Sequence, residues 1–318
     1  MRQNDLNRPI FKSETKAREW LESQLWPDGP VCPHCGALDG ATALKGETHR
    51  EGLYQCNECR GQFTVTVGTV YERSKIPLTK WLMATYLLSA SKKGISSNQL
   101  SRMLGLPYKT AWFMTHRIRE AMKADTSEPL GGTGKIVEAD ETYFGNTDEF
   151  EPSPQRKGKP YLKRKQVRKR AVVSLVERGG KVRTFHVKHA DAGTVRNILV
   201  CNADRASVLH TDESRLYTRV GEEYADHQTV KHTAGEYVRN KTIHSNTVEN
   251  YFSIFKRGMV GVYQHCGEQH LQRYLTEFDF RYSNRVGLGV SDMDRAVLAV
   301  KGAKGKRLTY RRTGGEAR

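Results

Sequence analysis

Nowhere in the 318 residues does an apolar run approach the roughly 18 that a membrane span requires. The opening segment, MRQNDLNRPI, also lacks the apolar core of a signal peptide. These absences predict a cytoplasmic protein with no membrane span, nucleoid-associated if its partner is DNA. Apolar residues are scarce, at 37%, and mean hydropathy is −0.67, so part of the chain is expected to be linker or solvated surface. Acids are short as well: 35 Asp+Glu face 52 Lys+Arg, a net charge of +17. That balance points away from most small-molecule enzymes. A polyanion explains it best, because each phosphate neutralised by Lys or Arg releases counterions. Nucleic acid is therefore the leading partner and an anionic membrane surface the weaker alternative. There is no internal repeat, and the length allows two or three domains at roughly 100 to 200 residues each.

Cysteine is sparse but not scattered. Four of the six cysteines sit in CPHC (Cys32, Cys35) and CNEC (Cys56, Cys59), spaced C-x2-C-x20-C-x2-C. Each C-x2-C turn points two thiolates inward, and an intervening hairpin brings the pairs together, the pattern of a tetrahedral structural Zn2+ site. A reducing compartment disfavours disulfides, and a redox dithiol needs only one such pair. His34 and His49 are spare ligand types expected to face solvent. Cys201 and Cys266 are expected to be small core residues. RGQFTVTVGTVY alternates and reads as ribbon strand ending in a Gly68 turn.

Before the ribbon, SETKAREWLESQLW reads as an amphipathic helix with Ala17, Trp20, Leu21 and Leu25 on its apolar stripe, packed on the ribbon. After it, residues 79 to 123 read as three helices. The second opens at a Ser96-x-x-Gln99 box and stops at Gly105, and Leu106-Pro107 starts the third, which is the punctuation of a helix-turn-helix. On the third helix Ala111, Met114, Ile118 and Ala121 form the expected buried stripe. Tyr108, Lys109, Trp112, His116 and Arg119 are left on the outer face, which makes Lys109 and Arg119 the DNA-binding candidates. ADTSEPLGGTGK, residues 124 to 135, reads as a linker. Beyond it, strands joined through Gly179-Gly180, a helix over AGTVRNILVC and the buried strand SVLHTD describe an α/β domain. Nine of the fifteen residues from Arg156 to Arg170 are Lys or Arg, a run expected to meet phosphates.

Three carboxylates stand out by context: Asp140 in the strand IVEAD, Asp212 at the end of SVLHTD, and Glu249 in HSNTVENYFSIFKRG, spaced D-x71-D-x36-E. On the last segment, read as a helix, Val248, Phe252, Phe255 and Met259 form a core stripe, while Asn246, Glu249, Ser253 and Lys256 share a neighbouring face. Phosphoryl transfer from DNA uses two divalent metals about 3.5 to 4 Å apart, and such hard cations want carboxylate oxygens. Glu138, two residues from Asp140 on the same strand face, is a rival ligand; Glu141, Glu213 and Asn250 are adjacent alternatives of less weight.

EADETYFG, LHTDESRLY and IHSNTVENYFSIFKRGMVGVYQHCGEQHLQRYLTEFDFRYSNR, with the CPHC/CNEC ribbon and GISSNQLSRMLGLPYKTAW, resemble the DDE transposases of prokaryotic insertion sequences that carry an N-terminal zinc ribbon, relatives of the eukaryotic Merlin transposons. The resemblance runs from about residue 14 to 290. It implies an RNase H-like catalytic domain with its acidic triad at Asp140, Asp212 and Glu249, and Lys256 at the family's helix-borne basic position. Some relatives carry Asn as the third residue, so Asn246 competes with Glu249; Glu249 is preferred because a neutral Asn oxygen holds a divalent metal less firmly.

The expected organisation is an N-terminal helix over 1–30, a zinc ribbon over 31–77, a helix-turn-helix over 78–123, a linker over 124–135, an RNase H-like α/β domain over 136–300 with a basic insertion at 151–170, and a basic, frayed tail over 301–318. The expected function is binding of terminal inverted repeats, followed by Mg2+- or Mn2+-dependent cleavage and joining to target DNA by a homo-oligomer. Lys256 and Arg257 would hold the DNA backbone, and Asn246 would support the site. The rivals are a zinc-ribbon, helix-turn-helix regulator with a dead catalytic domain, and a nuclease of the same fold that cuts without joining.

Overall fold

The computed structural model describes residues 5–38, 40–147, 169–230, 238–239 and 242–309. It divides into two compact units, Met1–Ala124 with Arg285–Arg318, and Asp125–Asn284. None of the described helices is long and apolar enough to cross a membrane. Most of the basic run, residues 156–168, lies outside the described residues, as does the tail beyond 309.

In the first unit, helix α1 (Glu14–Leu25) begins at Ser13, whose hydroxyl accepts from Lys16 N–H, and buries Ala17, Leu21 and Leu25 while Trp20 is half-buried. The ribbon strands β1 (Ala41–Ala43), β2 (Tyr54–Cys56) and β3 (Gln62–Phe63) pair antiparallel in that order. Buried Phe63 stacks on Tyr54, and Trp26 meets both rings edge-on. The strand expected to run on to Gly68 ends at Phe63. Three threonines explain the stop: Val67 N–H bonds Thr64 O, the hydroxyls of Thr64 and Thr66 bond each other, and Thr69 Oγ1 donates to Thr66 O at 2.7 Å. Short hydroxyl side chains thus offer the backbone a turn in place of a ladder.

Helix α1 touches the ribbon through Arg18–Glu51 at 2.8 Å and Tyr54 Oη donating to Glu22. It also serves helix α2 (Leu78–Ala90). Pro77 gives α2 no side-chain cap, and the Glu14 carboxylate accepts from the N–H groups of Leu78 and Thr79, both at 2.9 Å. Helix α3 (Ser97–Leu104) opens with Ser96 Oγ accepting from Gln99 N–H and closes at Gly105 in the left-handed region (φ 59°), where only glycine sits without strain. Pro107 then precedes helix α4 (Tyr108–Ala121).

The remaining helix of this unit overturns an expectation. Residues 285–300, assigned from sequence to the catalytic domain, pack with the N-terminal region. The helix over Asp292–Lys301, capped by a Ser291–Asp294 box, buries Met293, Ala296, Ala299 and Val300, and Arg295 donates to Ser89 O at the end of α2. Because α2 buries Trp81, Leu82, Ala84 and Leu88, it needs more covering than α3 and α4 supply. The first residues of the tail are likewise ordered: Val70 N–H donates to Ala303 O, Gly305 N–H to Gly68 O, and Lys306 Nζ to Lys123 O at 2.7 Å.

The second unit is built on a five-stranded sheet, β4 (Ile136–Asn146), β5 (Lys169–Glu177), β6 (Val182–Val187), β7 (Val208–Asp212) and β8 (Asp226–Val230), in the order β6-β5-β4-β7-β8. β4–β5 and β5–β6 are antiparallel, and β4–β7 and β7–β8 are parallel. Helix α5 (Ala192–Asn202) makes the crossover to β7, and a single turn, α6 (Thr218–Gly221), precedes β8. Helices α7 (Asn246–Gly258) and α8 (Leu271–Ser283) cover one face, where Val172, Val176, Val248, Phe252, Phe255 and Phe278 meet. The opposite face holds Val137, Val173, Leu175, Val195, Leu199 and Leu209. Strand β5 is buried on both faces, which is why its sequence is a continuous apolar run rather than an alternation. Numbered in chain order, the helix over Asp292–Lys301 is α9.

The linker expected at 124–135 is in large part built into this unit. Leu130 is buried, its N–H donates to Asn202 O at 2.8 Å, and Gly131 (φ 87°) donates to Glu177; any Cβ at Gly131 would overlap Ser207. Of the two lone cysteines, Cys266 is buried as expected and Cys201 is exposed, because its place on α5 faces away from the sheet. Arg170, at the end of the basic run, is buried and donates to Cys266 O at 2.5 Å, so it serves packing.

Candidate active site

The ribbon brings the sulfurs of Cys32, Cys35, Cys56 and Cys59 within 4.8 Å of one another. Cys32–Cys59 and Cys35–Cys56 lie 3.7 and 3.6 Å apart, and a tetrahedron with zinc–sulfur bonds of about 2.3 Å has edges of about 3.8 Å. Burial resists ionisation of Cys32, but the N–H groups of Cys35 and His34 outweigh it and draw the thiol down to about 6. Cys35, against the lowering N–H of Ala37, is pushed up to about 12 by the neighbouring sulfurs and by burial, so the four thiols do not all ionise without a cation among them. The donor set fits zinc. His34 and His49 are exposed, as expected.

In the second unit the parallel pair β4–β7 sets Asp140, in the middle of β4, beside Asp212, the last residue of β7. Their carboxylates lie, with that of Glu141, within 4.8 Å of one another. Each is partly oriented by backbone: Asp140 Oδ1 accepts from Glu141 N–H at 2.8 Å and Asp212 Oδ1 from Ser214 N–H at 3.0 Å. Burial, reinforced by the negative charges of Asp212, Glu141 and Glu249, pushes the Asp140 carboxyl up to about 8. The charged neighbours that raise it are thus acids, and converging hard carboxylate oxygens are the donors that a divalent metal takes. The cluster fits such an ion.

Glu141 carries little weight in the sequence because adjacent strand residues point to opposite faces. Its carboxylate nevertheless joins the two aspartates, held at 2.7 Å by the hydroxyl of buried Tyr217. Burial raises its carboxyl too, against the lowering effect of Tyr217. Nothing local in HTDESRLY signals that Tyr217 reaches back to strand β4. Glu138, the rival ligand, is fully buried and accepts from the N–H groups of Thr247 and Val248 at 2.8 and 3.0 Å, capping α7 instead of facing the cluster.

Glu249 stands on the first turn of α7, exposed, with its Oε1 accepting from Ser245 Oγ at 2.9 Å; its charge reaches Asp140, although it is not part of the three-carboxylate group. Asn246 is the first residue of α7, exposed, with its N–H on His244 Nδ1 at 3.3 Å. Lys256 and Arg257 are exposed in the last turn of the same helix. Glu213 and Asn250 are also exposed.

On α4 the structure divides the two DNA-contact candidates. Lys109 is exposed, but Arg119 is 1% exposed and donates to Thr115 Oγ1. His116 is buried as well. The outer face expected from periodicity closes over because α4 packs against α2, α3 and α9, and α9 arrives from a part of the chain assigned elsewhere. An open cleft of about 780 Å³ lies beside α4, lined by Arg73, Lys75, Lys109, Phe113 and Arg117. Arg117 lies over Trp81 and Phe113 and donates to Glu72 O at 2.7 Å. Arg73 is exposed with φ 55°, a left-handed conformation uncommon outside glycine. Periodicity on α4 alone had no means of finding the residues from Arg73 to Lys75.

Residues 129–283 match the ISXO2-like transposase domain, and residues 12–62 match a transposase zinc-ribbon domain. An uncharacterized protein in transposable element ISH50 of Halobacterium salinarum is 30% identical over 284 residues, 85% of this chain and 91% of that protein. The chain belongs to the zinc-ribbon insertion-sequence DDE transposases. The two matched segments of this family member hold all four cysteines and all three candidate acids, Asp140, Asp212 and Glu249. Among solved structures, a Mos1 transposase paired-end complex with left transposon end aligns at 10% identity and TM-score 0.20, over 65% of this chain and 81% of that one. A pre-cleavage Mos1 transpososome aligns at 10% identity and TM-score 0.20, over 58% and 72%. Likenesses that slight carry no structural argument.

Proposed function

We propose that this chain binds the terminal inverted repeats of its own element and cuts and joins DNA at the Asp140–Asp212 cluster, as a homo-oligomer assembled on DNA. The observation that carries the reading is the convergence of two aspartates on adjacent parallel strands, where burial and their mutual charge hold Asp140 near 8. We read the second unit as RNase H-like; three antiparallel strands followed by two parallel ones, with helices on both faces, support this. The α3–Gly105–α4 segment is read as a helix-turn-helix.

Asp140 and Asp212 would hold Mg2+ or Mn2+, with Glu249 as the third carboxylate. The divalent ions, when bound, supply activation of the attacking oxygen and stabilisation of the leaving one. Water first attacks the phosphodiester at the element end, breaking the bond to the 3′ oxygen and freeing a 3′-hydroxyl. That hydroxyl then attacks a target phosphodiester, and the target's own 3′ oxygen leaves with the proton. No side chain of the cluster need act as base. Asn246 would orient the start of α7, and Lys256 and Arg257 would hold phosphates without reading sequence. In the first unit, Arg73, Lys75 and Lys109 offer a basic cleft for a DNA backbone, Arg119 being buried. The run from Arg156 would add salt-dependent affinity. Zn2+ at the four cysteines would brace the ribbon for DNA binding and take no part in chemistry.

Cleavage and strand transfer on labelled element ends test this. Asp140→Asn and Asp212→Asn should each lower both reactions by about a thousandfold, equivalent to about 4 kcal/mol, and leave end binding intact. Undiminished activity in either would refute the assignment. A regulator would bind ends and cut nothing in the wild type, and a plain nuclease would cut without joining.

A further inference from the structure

Buried Glu138 and His210, with half-buried Arg178 and His244, form a polar network that the proposed chemistry does not use. Glu138 Oε1 accepts from Arg178 Nε at 2.9 Å, Arg178 Nη2 at 2.7 Å and Thr247 Oγ1 at 2.7 Å. Its Oε2 accepts from the N–H groups of Thr247 and Val248. Ser245, at the N-cap of α7, gives no side-chain cap, since its hydroxyl donates to Glu249 instead of accepting from the first turn, and of the first-turn N–H groups His244 Nδ1 accepts only that of Asn246. Glu138 therefore does for α7 what Glu14 does for α2, at the end where the helix dipole favours negative charge.

The placement is regular. Glu138 on β4 and His210 on β7 are register partners, and Thr247 lies on the first turn of α7. Each stands two residues before an acid: Asp140, Asp212 and Glu249. On a strand a two-residue step returns to the same face, so Glu138 and His210 share faces with Asp140 and Asp212; on α7 the step turns about 200°, so Thr247 fixes the turn that carries Glu249 from its other side. Arg178 joins the elements, with Nη2 3.2 Å from His210 Nδ1 and donating to His244 O at 3.1 Å, and Nη1 donating to Thr242 O at 2.8 Å.

We infer that Glu138 and Arg178 are positioning residues, which fix the first turn of α7 against β4 and β7 and so set where Glu249 stands relative to Asp140 and Asp212. The inference rests on the proposed role of Glu249. The apolar face of α7, Val248, Tyr251, Phe252 and Phe255, keeps the helix docked without them. Loss of the network should therefore disturb the acids far more than the fold.

Mn2+ binding to the full chain without DNA, followed by paramagnetic resonance of the free ion, reads this independently of catalysis, with the metal-free thermal midpoint measured alongside. Glu138→Gln should weaken Mn2+ binding by about ten- to a hundredfold. Thr247→Val, which removes one hydrogen bond, should weaken it severalfold at an unchanged midpoint, and Thr247→Ser should restore wild-type binding. Should Glu138→Gln fail to fold, Thr247→Val decides. Wild-type Mn2+ affinity in folded Glu138→Gln and in Thr247→Val, beside weakened binding in Glu249→Gln, would overturn the inference alone. Wild-type affinity in Glu249→Gln would remove the third ligand and the inference with it.

Discussion

The ribbon and the acidic cluster are both convergent sets of side chains of the types that hold metals, and they are made in opposite ways. The four cysteines come from two tight turns within 28 residues, Cys32 to Cys59, and a hairpin suffices to bring them together. The clustered acids come from two parallel strands, Asp140 and Glu141 on β4 and Asp212 on β7, about seventy residues apart, and no local element brings the two strands together. The ribbon has little core beyond Cys32, Cys56 and Phe63, so the metal must supply much of its order, whereas the acids sit on a sheet packed on both faces. Metal is thus expected to be part of the fold in the first site and a cost relieved in the second.

Removing the ribbon's metal is the strongest way to break that contrast. A structural zinc is worth about 10–16 kcal/mol to a small zinc domain. Metal analysis should give about one zinc per chain, and Cys56→Ser should abolish it together with end binding. A zinc-free Cys56→Ser protein that still bound ends would make the ribbon dispensable. The acidic cluster should behave otherwise: stripping its divalent ion leaves a folded protein.

Next in size is the choice of third ligand. Glu249→Ala should lower cleavage about as far as the aspartate substitutions do, while Asn246→Ala should cost roughly tenfold, as removal of a supporting side chain does. The opposite ranking would hand the position to Asn246. Glu141→Gln at fixed Mn2+ sharpens the same point, because its carboxylate is grouped with the two aspartates and that of Glu249 is not.

A smaller effect, with a definite sign, concerns pH. The folded value of Asp140 is raised, from 3.8 to about 8. The folded state therefore holds its proton more firmly than the unfolded chain, and the stability this confers is present below 3.8 and lost as pH climbs toward 8. Protein that keeps its zinc but has no divalent ion at the acids should accordingly melt at falling temperatures across that window. Buried Asp279, raised to about 7, adds a loss of the same sign, so the informative quantity is the difference between wild type and Asp140→Asn, whose curve should be flatter. Added Mg2+ should raise the melting temperature more at pH 8 than at pH 6, and equal gains would argue against binding at Asp140. The smallest expected effect lies in the basic cleft. Replacing Arg73, Lys75 and Lys109 with Gln should lower the salt slope of end binding by up to about 3, at about 0.9 for each phosphate left without its cation. An unchanged slope would move DNA off that surface.

The same contrast explains what could be read in advance. The boundaries of α3 and α4 follow from Ser96, Gly105 and Pro107, and β5 from its unbroken apolar run, because capping and turn chemistry act within a few residues. The reading failed where a distant segment intervened. Periodicity turns Arg119 toward solvent, but α9 packs against α4, and the strand after Phe63 gives way to a threonine turn whose following residues pair with 303–305. Glu138 and Glu141 exchange standing for the same reason: Arg178 and the start of α7 claim the first, and Tyr217 draws the second into the cluster.

The sequence by itself therefore determined the zinc ligands, the helix punctuation of the first unit, the alternation of strands and helices in the second and the surplus of positive charge, all of which are encoded over short stretches. Tertiary structure alone decided which carboxylates meet, which basic side chains stay in solvent and where the chain's last helix belongs. Those outcomes depend on strand order and on packing partners more than a hundred residues away, as Arg295 on Ser89 O shows, and no local pattern carries that information.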